Sequence, residues 1–249
     1  MLLTVIGGGQ LNTCFHLADG GTQLLLDCGA TSLVGMRRCG VSPAEIDCIV
    51  LSHFHGDHYG GVPFVLLDAM VHKRTRPLTI VSPPGGEGCI GRLMECLYPG
   101  LSAKIGMAFP VTYLEFLPEK EIVTPHFRLQ AVPVLHSPES LPHAVRLEWN
   151  GLKIGFSGDT EWTDNLLDVA DGTDLFICEC NNYDTESPGH LSYATLRRQM
   201  PRLPTKRLVL THLGNEMLAR RNELEIACLA DGQKLNSEGG FGIAETSQE

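Results

Sequence analysis

Apolar runs punctuated by Gly, Pro, Asp or Asn recur along the whole chain. They read as strands at Leu2–Ile6, Thr22–Asp27, Cys48–Ser52, Leu78–Val81, Val111–Phe116, Phe127–Leu135, Ala144–Trp149, Leu152–Ser157, Leu175–Cys180, Arg207–Thr211 and Glu225–Leu229. Asn150-Gly151 stands between two of these runs, and both residues tolerate positive φ, so a hairpin is expected there. Asp19-Gly20 and Asp231-Gly232 are weaker turn signals of the same kind. Helical periodicity appears between strands, at Gly88–Leu97, Ser192–Met200 and Asn215–Arg221. Ser42-Pro43-Ala44-Glu45 has the form of a capping box with proline at the first helical position. Early hairpins followed by mixed strands and helices predict a layered α/β or α+β fold. Residues 236–249 are polar and glycine-rich and read as a weakly ordered tail, leaving 1–235 as one domain.

Length and composition narrow this picture. A chain of 249 residues, 43% hydrophobic and 19% charged, suits one soluble globular domain with a substantial core. The formal charge of −10 argues against broad contact with phosphate backbones, although bound metal ions could still make a local positive pocket. No apolar run approaches the ~20 residues of a membrane helix. The N-terminus MLLTVIGGGQ lacks a basic segment, so no signal peptide is expected. Nine cysteines without a C-x-x-C pair, most of them inside apolar runs (Cys14, Cys28, Cys48, Cys178, Cys228), predict buried reduced thiols in a cytoplasmic protein.

The chemistry concentrates in Ser52-His53-Phe54-His55-Gly56-Asp57-His58. Alternate side chains of an extended segment share a side, so His53 and His55 can grip one ion. Asp57 and His58 lie past a turn at Gly56 and can grip a second. Imidazole with carboxylate suits zinc, manganese or iron(II). Three further candidates repeat one pattern, a ligand just after an apolar strand: His136 after Val132–Leu135, Asp159 after Ile154–Gly158, and His212 after Leu208–Thr211. Together they make seven donors for two ions, with Asp159 able to bridge, as a two-metal hydrolytic site requires.

With these residues in order, the chain resembles the metallo-β-lactamase superfamily over about residues 1–235. The resemblance implies a four-layer αβ/βα sandwich with metals at one edge of the sheets. It implies that His53, His55 and His136 hold one metal, that Asp57, His58 and His212 hold the other, and that Asp159 bridges them. Ser157-Gly158-Asp159-Thr160, Cys178-Glu179-Cys180, Gly189-His190-Leu191-Ser192 and Leu210-Thr211-His212-Leu213 look most like the short branch near tRNase Z and the phosphodiesterases. His190 takes the place of that branch's active-site histidine, with Leu191 intervening before the serine. Glu179 is either a strand-end cap or a partner of the site, and His143 either lines the pocket mouth or is structural. His16, His72 and His126 read as structural or surface residues.

The resemblance also sets the expectation for substrate. A long tRNA-grasping arm lies between the third histidine and the bridging aspartate in tRNase Z proper, whereas only 23 positions separate His136 from Asp159 here. With the acidic charge, this makes tRNA an unlikely partner and a small phosphodiester such as a cyclic nucleotide the expected substrate. The basic run Lys73-Arg74-Thr75-Arg76 reads as a solvated loop. The expected activity is hydrolysis by two divalent metals, most readily zinc, which lower the pKa of a bound water to about 7. Asp57 would orient the nucleophile, and His190 would steady the transition state or protonate the leaving oxygen. Rival readings are a glyoxalase II-like thioester hydrolase, weakened by the roughly 37 residues left after His212, and a non-catalytic metal-binding protein, for which seven ligands are more than is needed. Oligomeric state is open, a homodimer included.

Overall fold

The computed structural model describes residues 1–101, 109–117 and 119–243. The first half runs β1 (Leu2–Gly9), β2 (Asn12–Asp19), β3 (Thr22–Leu26), α1 (Ser32–Arg38), β4 (Cys48–Val50), α2 (Gly56–Tyr59), α3 (Val62–Val71), β5 (Leu78–Ser82), α4 (Gly86–Leu97) and β6 (Val111–Glu115). The second half runs β7 (Ile122–Val123), β8 (Phe127–Pro133), β9 (His143–Trp149), β10 (Leu152–Phe156), α5 (Asn165–Ala170), β11 (Leu175–Glu179), α6 (Tyr193–Gln199), β12 (Leu208–Thr211), α7 (Asn215–Ala219), β13 (Lys234–Asn236) and β14 (Gly242–Ile243).

Two mixed sheets result, ordered β14-β13-β1-β2-β3-β4-β5-β6 and β12-β11-β10-β9-β8-β7. Side chains alternate across each strand, and here both faces are covered. In β3, Leu24 and Leu26 enter the core between the sheets, while Leu25 packs outward with Met36, Val65 and Leu66. In β11, Leu175 and Ile177 point inward, while Phe176 and Cys178 pack outward with Leu166, Leu196 and Met217. Such strands read as continuous apolar runs because neither face meets water. The layers are therefore helices, sheet, sheet, helices: the expected αβ/βα sandwich of the metallo-β-lactamase fold.

The β9–β10 hairpin turns at Asn150-Gly151, with φ of +49° and +77° and Trp149 paired to Leu152. The β2–β3 turn uses Gly20-Gly21, one position beyond the expected pair, with Asp19 facing Thr22. Asp231-Gly232 makes no hairpin between neighbours; it leads into β13, which pairs with β1. Ser42–Glu45 forms only one tight 3-10 turn over Pro43–Glu45, and Ser42 makes no side-chain cap. Glu45 instead accepts from Gln23 Nε2. Glu225–Leu229 is not a strand: it carries a single bridge, Cys228 to Leu210.

Two further expectations change. Arg74 is buried rather than solvated, because its guanidinium donates to the carbonyls of Ala44, Ile46, Arg76 and Pro77 and so ties off loop ends. The chain also stays ordered past residue 235. Asn236 Oδ1 accepts from the Glu238 N–H, Phe241 is buried, and β14 pairs with β13. The remainder of the expected tail, 244–249, lies outside the described residues. Among the described residues no helix is long and apolar enough to cross a membrane.

Candidate metal centre

Every candidate ligand lies in a segment that follows a strand, Asp57 and His58 within α2. After β4 the chain bends at Ser52, is extended at His55, and then enters α2, so Asp57 and His58 are turned relative to His53 and His55. β8 delivers His136, β10 delivers Asp159 and β12 delivers His212, the last at a φ of +55°. The result is two neighbouring donor groups, His53/His55/His136 and Asp57/His58/Asp159/His212, each with its ligand atoms within 4.8 Å of one another.

Asp159 Oδ2 lies between the groups. It is 3.2 Å from His58 Nε2, 3.3 Å from His212 Nε2, 3.8 Å from His136 Nε2 and 3.9 Å from His53 Nε2. Asp57 Oδ2 stands 3.3 Å from His58 Nε2 and 3.4 Å from His212 Nε2. His55 turns its Nδ1 inward, 3.0 Å from His136 Nε2. All seven residues named from the sequence are thus brought together.

The outer nitrogens explain the orientation. His58 Nδ1 meets Asp27 Oδ2 at 2.7 Å, His53 Nδ1 meets Ser52 Oγ at 3.0 Å, and His136 Nδ1 meets the Gly189 carbonyl at 2.6 Å. An imidazole that donates through Nδ1 presents a lone pair at Nε2, the form a metal requires. Gly189 is needed for that last contact: its φ is +82°, and a Cβ there would lie 2.6 Å from His136 Nδ1.

The site fits a cation. His53 Nε2 and His58 Nε2 are buried and find no hydrogen-bond partner among the described residues. Buried polar atoms are rarely left so, and inward imidazole nitrogens beside two carboxylates are what divalent ions satisfy. Burial opposes a charge on His58, but the Asp159 and Asp27 carboxylates outweigh it and hold that imidazole up. Burial, with the nearby His58, pushes the His53 imidazole well down, toward its neutral, ligating form. Burial works to raise Asp159, but the His58 and His212 imidazoles outweigh it and hold the carboxyl well below the usual range. Asp57 is held down similarly, its bonds to His212 and His58 overcoming burial.

His190 stands beside this cluster, its ring 4.9 Å from that of His136 and stacked at 5.4 Å on that of His212. Its Nδ1 is 2.8 Å from Glu179 Oε1. Glu179 is fully buried and also accepts from the N–H groups of Thr160, Asn181 and Leu191, so it is both a loop cap and the partner of His190. Burial opposes a charge on His190, but the bond and charge of Glu179 prevail and raise it.

His143 turns its ring to the Leu141 carbonyl and packs on Phe116, where it lines a separate, largely apolar cavity of about 480 Å3. His16, His72 and His126 lie outside the cluster, bonded to Gln23, Asp68 and Thr22. Sequence reasoning missed Asp27 and Ser52 as parts of the site. Asp27 obeys the same pattern as the other ligand positions, a polar residue closing an apolar strand, and could have been found by it.

The layers are those of the metallo-β-lactamase fold, with the donor cluster at one edge of the sheets. Residues 8–235 match the family described as anti-Pycsar protein Apyc1, and the chain belongs to that family. Ribonuclease Z of Agathobacter rectalis is 23% identical over an alignment covering 83% of each chain. Human tRNase Z, short form, superposes with a TM-score of 0.78 at 21% identity, over 95% of this chain and 99% of that one. The metallo-β-lactamase fold protein YhfI of Bacillus subtilis superposes with a TM-score of 0.73 at 19% identity, over 94% and 99%.

These matches correct the expectation about partners. Proteins named ribonuclease Z and tRNase Z align with most of the chain, so exclusion of tRNA in favour of a small molecule does not stand. The physical grounds for it were too coarse. Net charge is a sum over the molecule, whereas phosphate binding responds to the local field. The interval from His136 to Asp159 is filled by a 3-10 turn and the β9–β10 hairpin, which reports on one insertion point only.

Proposed function

We propose that the chain is a two-metal phosphodiesterase acting on small phosphodiesters such as cyclic nucleotides, with zinc as the resident ion. The observation that carries this reading is the position of Asp159 Oδ2 between two donor groups whose inward nitrogens include two buried atoms without a hydrogen-bond partner among the described residues. His53, His55 and His136 would hold one ion, Asp57, His58 and His212 the other, and Asp159 both. When bound, the ions supply Lewis acidity that activates water near neutral pH and holds phosphoryl oxygens.

The chain's own residues provide the rest. Asp57, partly exposed beside the cluster, accepts a hydrogen bond from the attacking water and orients it. His190 keeps one proton on Nδ1 for Glu179 and offers a second from Nε2 to the departing oxygen. A ribose alkoxide is a poor leaving group, so a carboxylate that favours the imidazolium suits this chemistry.

RNA cleavage is a second reading, favoured by the relatives named ribonuclease Z. Cyclic nucleotides, a precursor tRNA and a thioester should be compared at equal metal loading. Turnover of cyclic nucleotides well above that of the thioester is expected. Cleavage of the RNA alone would replace the small-substrate reading, turnover of the thioester alone would overturn the phosphodiesterase, and no turnover of any would indicate a binding protein.

A further inference from the structure

Ser52 stands where the two donor groups meet. Its Oγ donates to Asp27 Oδ2 at 2.8 Å and lies 3.0 Å from His53 Nδ1, and its backbone N–H donates to Asp27 Oδ1 at 2.7 Å. The same Asp27 Oδ2 takes His58 Nδ1 at 2.7 Å. Asp27, Ser52, His53 and His58 are all fully buried, so water does not compete for these contacts. Asp27 holds this position at a φ of +57°, a left-handed conformation uncommon outside glycine that aspartate tolerates better than most residues.

Counting protons leaves one consistent arrangement. A carboxylate only accepts, so the single hydroxyl proton of Ser52 goes to Asp27. Oγ can then meet His53 Nδ1 only as an acceptor, and Nδ1 must carry the ring proton. His58 Nδ1, facing the same carboxylate oxygen, must be an N–H as well. In the neutral rings both lone pairs are thereby directed to Nε2, and these are the two buried atoms that find no hydrogen-bond partner among the described residues, His58 Nε2 lying 3.2 Å from Asp159 Oδ2. His136 Nδ1 uses the Gly189 carbonyl instead, His212 Nδ1 stands 3.2 Å from Asn181 Nδ2, and neither has a share in Asp27.

We propose that Ser52 is a positioning residue which fixes His53 as a metal ligand, while Asp27, whose Oδ2 takes both Ser52 Oγ and His58 Nδ1, supports both halves of the centre. The proposal rests on the two-ion reading above, but it concerns a hydrogen-bond chain that exists without metal. Partners of this kind typically contribute ~10–100-fold to metal affinity. Ser52→Ala should therefore weaken one of the two binding steps by about that factor and leave the other nearly unchanged. Asp27→Asn should weaken both.

The tautomers can be read directly in the metal-free wild type, by long-range proton–nitrogen correlation spectra of the imidazole rings. His53 should carry its proton on Nδ1 there, and should move to a mixture with the Nε2–H form in Ser52→Ala. A wild-type His53 protonated at Nε2, or a Ser52→Ala protein whose two zinc-binding steps both match wild type in chelator competition, would overturn the proposal. Wild type binding fewer than two ions would count against the two-ion reading instead, and the spectra would still decide the role of Ser52.

Discussion

Glu179 Oε1 and His190 Nδ1 are 2.8 Å apart, and the same buried carboxylate takes three backbone N–H groups. His190 is thus aimed by a partner that cannot easily move. General acid catalysis is worth ~10²–10⁴ in rate. His190→Ala should lose about that factor on a cyclic nucleotide but far less on bis(p-nitrophenyl) phosphate, whose leaving group needs no proton. Metal content should be unchanged. Equal losses on both substrates would show charge stabilisation or positioning in place of proton donation.

Gly189→Ala tests the support of His136. The added Cβ would lie 2.6 Å from His136 Nδ1 at a φ of +82°. The strain alone should cost roughly 1–3 kcal/mol. Displacement of the ring should weaken binding of the ion that His136 shares with His53 and His55. A zinc titration indistinguishable from wild type would show that the Gly189 contact does not set the ligand.

The core between the sheets depends on large side chains at hairpin ends. Trp149 is buried there, paired with Phe127 on one side and Leu152 on the other. Trp149→Ala should cost about 3–5 kcal/mol, which for a chain of this size lowers the thermal midpoint by roughly 6–20 °C. The check is calorimetry at fixed metal loading. A shift of a degree or two would mean that this end of the sandwich is not part of the cooperative unit.

Chelation should also lower the thermal midpoint, because ions that bind only the folded chain stabilise it by mass action, about 2.7 kcal/mol at a hundredfold excess over Kd. Zinc should restore it. A midpoint unaffected by chelator, with metal loss verified, would mean that the donor cluster is held by the fold alone.

Much of the site was legible because its chemistry is local. His53 to His58 announce themselves within six residues, and His136, Asp159 and His212 each close an apolar strand. The connections between them were not legible. That Ser52 links His53 to Asp27, or that a glycine carbonyl turns His136, depends on contacts across the fold. The helix α1 was missed because only two of its seven residues, Ser32 and Met36, are buried, leaving little periodic signal. The apolar content of Glu225–Leu229 predicts a strand, but among the described residues only Cys228 finds a ladder partner. Partner choice was misjudged because total charge and one interval length do not describe a surface.

The central claim is that seven side chains hold two ions, with Asp159 serving both. Elemental analysis of the zinc-loaded chain, after removal of loosely bound metal, tests it most directly. Two ions per chain are expected in the wild type, and Asp159→Ala should lose both or fall well below two. A wild type that retains one ion or none, or an Asp159→Ala protein that still holds two, would contradict the account.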